Sequence, residues 1–181
     1  MAEQLTEITD SLQGFIARQK VFFVGSAAAD GRVNVSPKGR DTLRILGPNR
    51  VVWLNLTGSG NETAAHLLEN DRMTLMFCAF EGDPMILRLY GHARLVHPGD
   101  EAWEQCIELF PSLPGRRQIV DMAVDLVLTA CGYAVPLYDF VEERELLAQW
   151  AAKQGEERLA AYRQKNNSAS LDGKPTDIPA E

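Results

Sequence analysis

A chain of 181 residues, 45% hydrophobic and 24% charged, can bury roughly 70% of the surface it exposes when unfolded, so it needs no disulfide or metal to hold a core. The formal net charge of −7 excludes the broad basic face that nucleic-acid binding requires, so no nucleic acid is expected as a partner. No apolar stretch approaches the ~20 residues that cross a bilayer, and residues 1–10 lack the basic-then-apolar form of a signal peptide. The chain therefore reads as cytoplasmic, with no membrane partner.

The elements are predicted in chain order from hydrophobic period and turn chemistry. Leu5, Ile8, Leu12, Phe15 and Ile16 share one face of a helix over Thr6–Arg18. Strands over Val21–Ala29 and Val33–Ser36 follow, joined by the two-residue turn Asp30-Gly31, with Pro37 ending the ladder because it has no amide to donate. Thr42–Leu46 and Arg50–Leu56 pair next, across Gly47-Pro48-Asn49. The period then changes to a short helix over Glu62–Leu68 and returns to strand over Arg72–Phe80. Glu81-Gly82-Asp83-Pro84 turns into a long strand, Met85–Val96, that bends at Gly91. Asp100 caps a helix through Phe110, Gln118–Thr129 alternates as a strand, and helices over Glu142–Gln154 and Glu156–Lys165 flank Gly155. Residues 1–165 read as one domain and 166–181 as a polar surface tail. Short antiparallel strands joined by tight turns predict a sandwich or barrel, not βαβ units.

Three features could carry chemistry. Arg32, Lys38, Arg40, Arg44 and Arg50 form a basic island with Asp41 as its sole acid, which fits an anionic small ligand or a solvated sheet edge. Trp53-Leu54-Asn55 leads through Gly58 and Gly60 into Asn61-Glu62-Thr63. That is a strand, a glycine-bearing loop and a helix start whose first amides suit a phosphate. The same residues also spell a capping box, Ser59 with Glu62, which would satisfy that helix end internally. The loop lacks the Lys-Ser/Thr ending of an ATPase phosphate loop and the Rossmann glycine pattern. Val35-Ser36-Pro37-Lys38 supplies a second phosphate element or, more plainly, an exposed turn lysine.

Other polar groups read as ordinary. His66, His92 and His97 lack metal-ligand spacing, with His66 expected half-buried on its helix, and no metal site is predicted. Cys78, Cys106 and Cys131 are scattered and odd in number, and Cys131 reads as a buried small hydrophobe. Arg88 reads as a cross-strand partner or a further cation.

The order of Val33–Gly39, Trp53–Asn55, Gly60–Thr63 and Arg88-Leu89-Tyr90-Gly91 resembles the pyridoxamine 5′-phosphate oxidase-like family, over roughly Lys20–Val96. Cys131-Gly132-Tyr133-Ala134-Val135-Pro136 and the tail from Lys165 resemble a branch of small proteins with undefined substrates. The resemblance implies a mainly β fold, an antiparallel split β-barrel of six to seven strands with flanking helices. It also implies a homodimer binding flavin mononucleotide (FMN) in clefts between subunits. Ser36 and Lys38, with Val35 and Pro37, would meet the phosphate or ribityl chain. The backbone of Trp53, Leu54 and Asn55 would line the flavin ring, and Gly60, Asn61, Glu62 and Thr63 would form a second phosphate wall. Authentic oxidases carry Ser-Arg-Lys at that wall, so Arg40, Arg44 or Arg88 would have to supply the missing charge. Glu62 is expected to turn away and bond Arg88 or a backbone amide.

The implied function is an FMN-dependent oxidoreductase acting with a small-molecule substrate or electron donor. Its alternatives are a non-enzymatic flavin store or sensor, or the same barrel holding a deazaflavin or haem. Oxidation of pyridoxamine phosphate itself is not expected, because Asp172-Gly173-Lys174-Pro175-Thr176 lacks the arginine-rich ending of true oxidases.

Overall fold

The computed structural model describes residues 2–179. Residues 1, 180 and 181, and with them the last two positions of the expected tail, lie outside the described residues. The chain orders β1 (Glu3–Leu5), α1 (Asp10–Arg18), β2 (Phe22–Ser26), β3 (Asn34–Lys38), β4 (Leu43–Gly47), β5 (Arg50–Leu56) and α2 (Glu62–Glu69). It continues with β6 (Arg72–Cys78), β7 (Ile86–Val96), α3 (Trp103–Ile107), β8 (Arg116–Ala130) and α4 (Leu146–Asn166). The fold is the expected mainly β split barrel. Its antiparallel sheet runs β3-β2-β6-β7-β8-β5-β4, and β1 adds an eighth strand beside β8. That strand is too short to show a period of its own, and its Leu5 falls in step with the apolar face of the helix that follows.

Two apolar layers flank the sheet. Inside the barrel, Val24, Val51, Trp53, Leu75, Phe77, Leu87, Leu89, Val120 and Met122 pack beneath Ile8, Leu12, Phe15 and Ile16 at and before α1. On the far side, Val52, Leu54 and Ile119 pack against Cys106, Ile107 and Phe110 at α3. Alternate residues of β5 and β8 thus serve two cores, which is why both strands read as nearly continuous apolar runs.

Several expected boundaries shift for identifiable reasons. Pro37 does not end the ladder: it pairs with Phe23, and β3 continues to Lys38. β3 is the edge strand, so a missing amide there removes no sheet bond. The β2–β3 connection is longer than a two-residue turn, since pairing stops at Ser26 and Asn34. Gly31 takes φ 88°, and the connection is held by the C-terminal segment instead, through Arg32–Asp172 and Lys174–Asp30. α3 spans five residues rather than the whole of 100–110, because Asp100 spends its carboxylate on the His97 amide at 2.7 Å. α4 starts at Leu146 and breaks at Gly155, where φ is 72°. Gly91 does mark a register shift between β7 and β8, and a Cβ there would sit 1.9 Å from the Ala123 carbonyl oxygen.

The segment after α4 is more than a surface tail. Asn167 and Thr176 are fully buried, and Asn167 lies among residues of β8 and the α2 approach. No helix among the described residues is long and apolar enough to cross a membrane.

Candidate functional site

The site is built where β3 ends beside the start of α2. Strand alternation turns Asn34, Ser36 and Lys38 to one face of β3, the face of their partners Ser26, Val24 and Phe22. Lys38 reaches inward, its ammonium 2.8 Å from Ser36 Oγ and 5.5 Å from the centre of the Trp53 ring. Trp53 meets Phe22 edge-on, and Phe22 stacks on Phe77, so the ammonium rests above an aromatic trio. Burial there, with the Arg117 guanidinium nearby, lowers the Lys38 pKa to about 8.

α2 approaches the same place from the other side. Asn34 Nδ2 donates to Thr63 Oγ1 at 3.3 Å, which ties β3 to the first turn of the helix. Arg117, on β8, donates to the Gly60 carbonyl at 3.0 Å and to Asn167 Oδ1 at 2.8 Å. Its side chain is buried, and burial with the charge of Arg163 pulls its pKa down to about 9. Among the described residues neither Lys38 nor Arg117 has a carboxylate partner. Arg117 Nε and Trp53 Nε1 are buried donors without an acceptor.

The helix end itself stays open. Asn61 is the N-cap residue, but its side chain makes no cap: it accepts from Gln118 Nε2 at 3.1 Å and donates to the Asn167 carbonyl at 3.5 Å. The Ser59–Glu62 capping box does not form. Glu62 instead receives the Leu171 amide on both carboxylate oxygens at 3.0 Å, a backbone amide as anticipated. The result is a concentration of positive groups and unfilled donors, the electrostatic form of an anion site.

Comparison with known proteins fits this arrangement. Residues 8–131 match the family described as pyridoxamine 5′-phosphate oxidase. The chain belongs to the pyridoxamine 5′-phosphate oxidase family. A curated relative, the pyridoxamine 5′-phosphate oxidase family protein ustO of Aspergillus flavus, is 35% identical over 188 residues, covering 93% of this chain and 75% of the relative. Among solved structures, HupZ of Group A Streptococcus matches with TM-score 0.54 at 19% identity, over 68% of this chain and 99% of that one. A Clostridium acetobutylicum protein related to a general stress protein, of the pyridoxinephosphate oxidase family, matches with TM-score 0.52 at 14% identity, over 67% of this chain and 86% of that one. These structures share the fold.

The structure divides the family-implied residues. Ser36, Lys38, Gly60, Asn61, Glu62 and Thr63 lie on the two facing elements, with the Glu62 carboxylate beside Gly60 and bonded to the Leu171 amide. Val35 and Pro37 turn to the opposite, outer face, where Val35 is 66% exposed. Arg88 falls in the same cross-strand row as Pro37, through Phe23 and Met76, so it lies on that outer face too. Trp53 and Leu54 are buried, and β5 is paired on both sides by β4 and β8, so their backbone is engaged in ladders rather than open to a ring.

The arginine beside the start of α2 is Arg117, which donates to the Gly60 carbonyl. Arg40 reaches Glu145 at 3.1 Å, and Arg44 pairs with Asp41 at 2.6 Å. Arg117 and Gln118 escaped sequence reading because they are remote from the motifs, and Asn167 entered it only within the tail that resembles the branch. The one available signal was a pair of arginines, Arg116-Arg117, opening an otherwise apolar strand.

The remaining polar groups sit elsewhere. His66 is fully rather than half buried and bonds Ser26 Oγ at 3.0 Å. Cys131 is exposed, not buried, because β8 ends at Ala130 and the chain leaves the sheet. A separate cleft of about 970 Å³ opens between the end of α1, the 80–85 turn and residues 138–140, and none of the family-implied residues lines it.

Proposed function

We propose that this protein is a cytoplasmic, homodimeric FMN-binding oxidoreductase that exchanges electrons or hydride with a small molecule. The observation that carries the reading is the meeting of Lys38 and Arg117, neither with a carboxylate partner among the described residues, beside the uncapped start of α2. The residues present fit the phosphate end of FMN. The ammonium of Lys38 bonds the Ser36 hydroxyl, Asn34 ties that strand to Thr63 in the first turn of α2, and the amides of that turn add donors aligned with the helix dipole. FMN would supply the redox chemistry, and the chain's part is to hold and orient it.

Trp53 and Leu54 are buried in the β5 ladders, so the ring is placed against a second copy. The exposed apolar side chains of Val33, just before edge strand β3, and of Val35 on it favour the same arrangement. Three unpaired cysteines, two of them buried, accord with a reducing compartment.

Titration of the apo-protein with FMN tests the reading. Saturable quenching of flavin fluorescence is expected, with Lys38→Ala weakening binding about 10- to 100-fold through loss of a charged hydrogen bond. An unchanged dissociation constant would remove Lys38 from the site, and no binding by the parent would remove FMN. Reduction of bound flavin by NADH or NADPH, followed by turnover with an acceptor, separates an oxidoreductase from a flavin store.

A further inference from the structure

The cleft of about 970 Å³ beside the end of α1 has the size of a small-molecule site and shares no residue with the anion site. Its walls are aromatic and fixed. Phe80 and Tyr138 form a tilted pair with ring centres 5.6 Å apart, and Phe140 and Met85 add apolar surface beside them. Residues 138–140 belong to an irregular segment, where rings keep their place only if the backbone is tied. It is tied twice: the Tyr138 amide donates to the Phe80 carbonyl at 2.9 Å, and the Phe140 amide to the Glu81 carboxylate at 3.2 Å. The rings so held are not buried by the chain, since Tyr138 is 63% and Phe140 45% exposed.

Charge decides which aromatic molecule such walls take. The two cations of the cleft are already engaged. Arg18 donates to the Gly14 carbonyl of its own helix at 2.9 Å, and the Lys20 ammonium stands 5.4 Å over the centre of the Phe140 ring. The carboxylates of Asp83 and Asp139 have no basic partner among the described residues. The Lys20 contact shows the chemistry in small: an ammonium rests on a ring face, where the negative quadrupole of the ring favours it. We propose that this cleft binds a planar aromatic cation, its ring system against Phe80 and Tyr138 and its charge towards Asp83 and Asp139. An uncharged ring would gain the apolar contacts alone, and an anion would meet two unpaired carboxylates. The proposal is independent of the flavin reading, because it uses other residues and needs no phosphate.

Fluorescence titration of the full chain with proflavine, a planar cationic dye, tests it, with the planar anion naphthalenesulfonate as competitor. Saturable binding is expected that excess naphthalenesulfonate leaves in place. Tyr138→Leu keeps apolar bulk but removes the ring face, and is expected to weaken the dye about three- to fivefold. Asp83→Asn with Asp139→Asn, both at exposed positions, is expected to weaken it about fivefold. Lys20→Met removes the competing ammonium while keeping the stem, and is expected to tighten binding about two- to threefold. Lys38→Ala, in the anion site, is expected to leave it unchanged. Absence of saturable binding overturns the proposal, as does displacement by naphthalenesulfonate. Parent-like affinity in both the double Asn variant and Lys20→Met would show that the cleft does not read charge, and a loss in Lys38→Ala as large as in Tyr138→Leu would place the dye elsewhere; either result also overturns it.

Discussion

Lys38 is the residue whose chemistry is most altered by where the fold puts it. An exposed turn lysine would keep its ordinary pKa of 10.5; burial and the charge of Arg117 bring this one to about 8. The sign matters for binding. An anion prefers the ammonium, so the free protein must take up a proton to bind above pH 8, and affinity falls as pH rises. FMN affinity is expected to be about tenfold weaker at pH 9 than at pH 7, following the ionised fraction of a group with this pKa. Calorimetric titration in buffers of different ionisation enthalpy should record proton uptake near pH 8, and Lys38→Arg should flatten the pH profile. A parent profile already flat from pH 7 to 9 would place the titrating lysine outside the site. For stability the same shift works the other way. The charged, buried lysine costs the folded state free energy below pH 8, and that cost is relieved as pH rises from about 8 towards 10.5.

At the level of elements, β8 is the organiser. It pairs with β1, β5 and β7, and it carries Arg117 and Gln118 to the site at one end. Its register with β7 depends on Gly91, because the bulge there brings the Ala123 carbonyl within 1.9 Å of where a Cβ would stand. The obstacle is backbone and cannot rotate aside. Gly91→Ala is expected to cost at least about 3 kcal/mol, read as a lowered denaturant midpoint. A midpoint within error of the parent would mean that the two strands can separate locally without loss. Arg50 and Arg94 converge on Asp121 between β5, β7 and β8 at 2.9 and 2.8 Å, which fastens the same register from the outer face. Burial alone would raise the Asp121 pKa, but the two guanidinium groups outweigh it and hold the carboxyl below its usual range.

For the whole molecule, the exposed apolar surface is the unresolved force. Val33 and Val35 stand out just before and on edge strand β3, while Tyr133, Leu137, Tyr138 and Val141 stand out from the irregular segment between β8 and α4. That segment is anchored at few points, among them the Tyr138 amide on the Phe80 carbonyl at 2.9 Å and Arg40 on Glu145 at 3.1 Å. Large apolar side chains held out on a fixed strand and a tethered segment favour burial against a second copy. Light scattering at micromolar concentration is expected to report a dimer, and Val35→Asp a monomer with an unchanged far-ultraviolet spectrum. A monomeric parent would rule out an intersubunit flavin cleft.

Alternation and turn chemistry along the chain were enough to place most strands, the α2 helix and the break at Gly155, because each depends on neighbours within a few residues. They were also enough to pair a lysine-bearing strand end with a helix start as a candidate anion site. What they could not reach was everything made by residues far apart in sequence: Arg117 beside the start of α2, Asn167 buried next to it, and Glu62 bonded to the Leu171 amide. Side-chain direction on a strand is local and follows from parity, so Arg88 could be excluded once the register was known. Which cation finally faces the site is set by pairing between β5, β7 and β8 and by the return of the C-terminal segment. Those are long-range contacts whose energies no local pattern encodes.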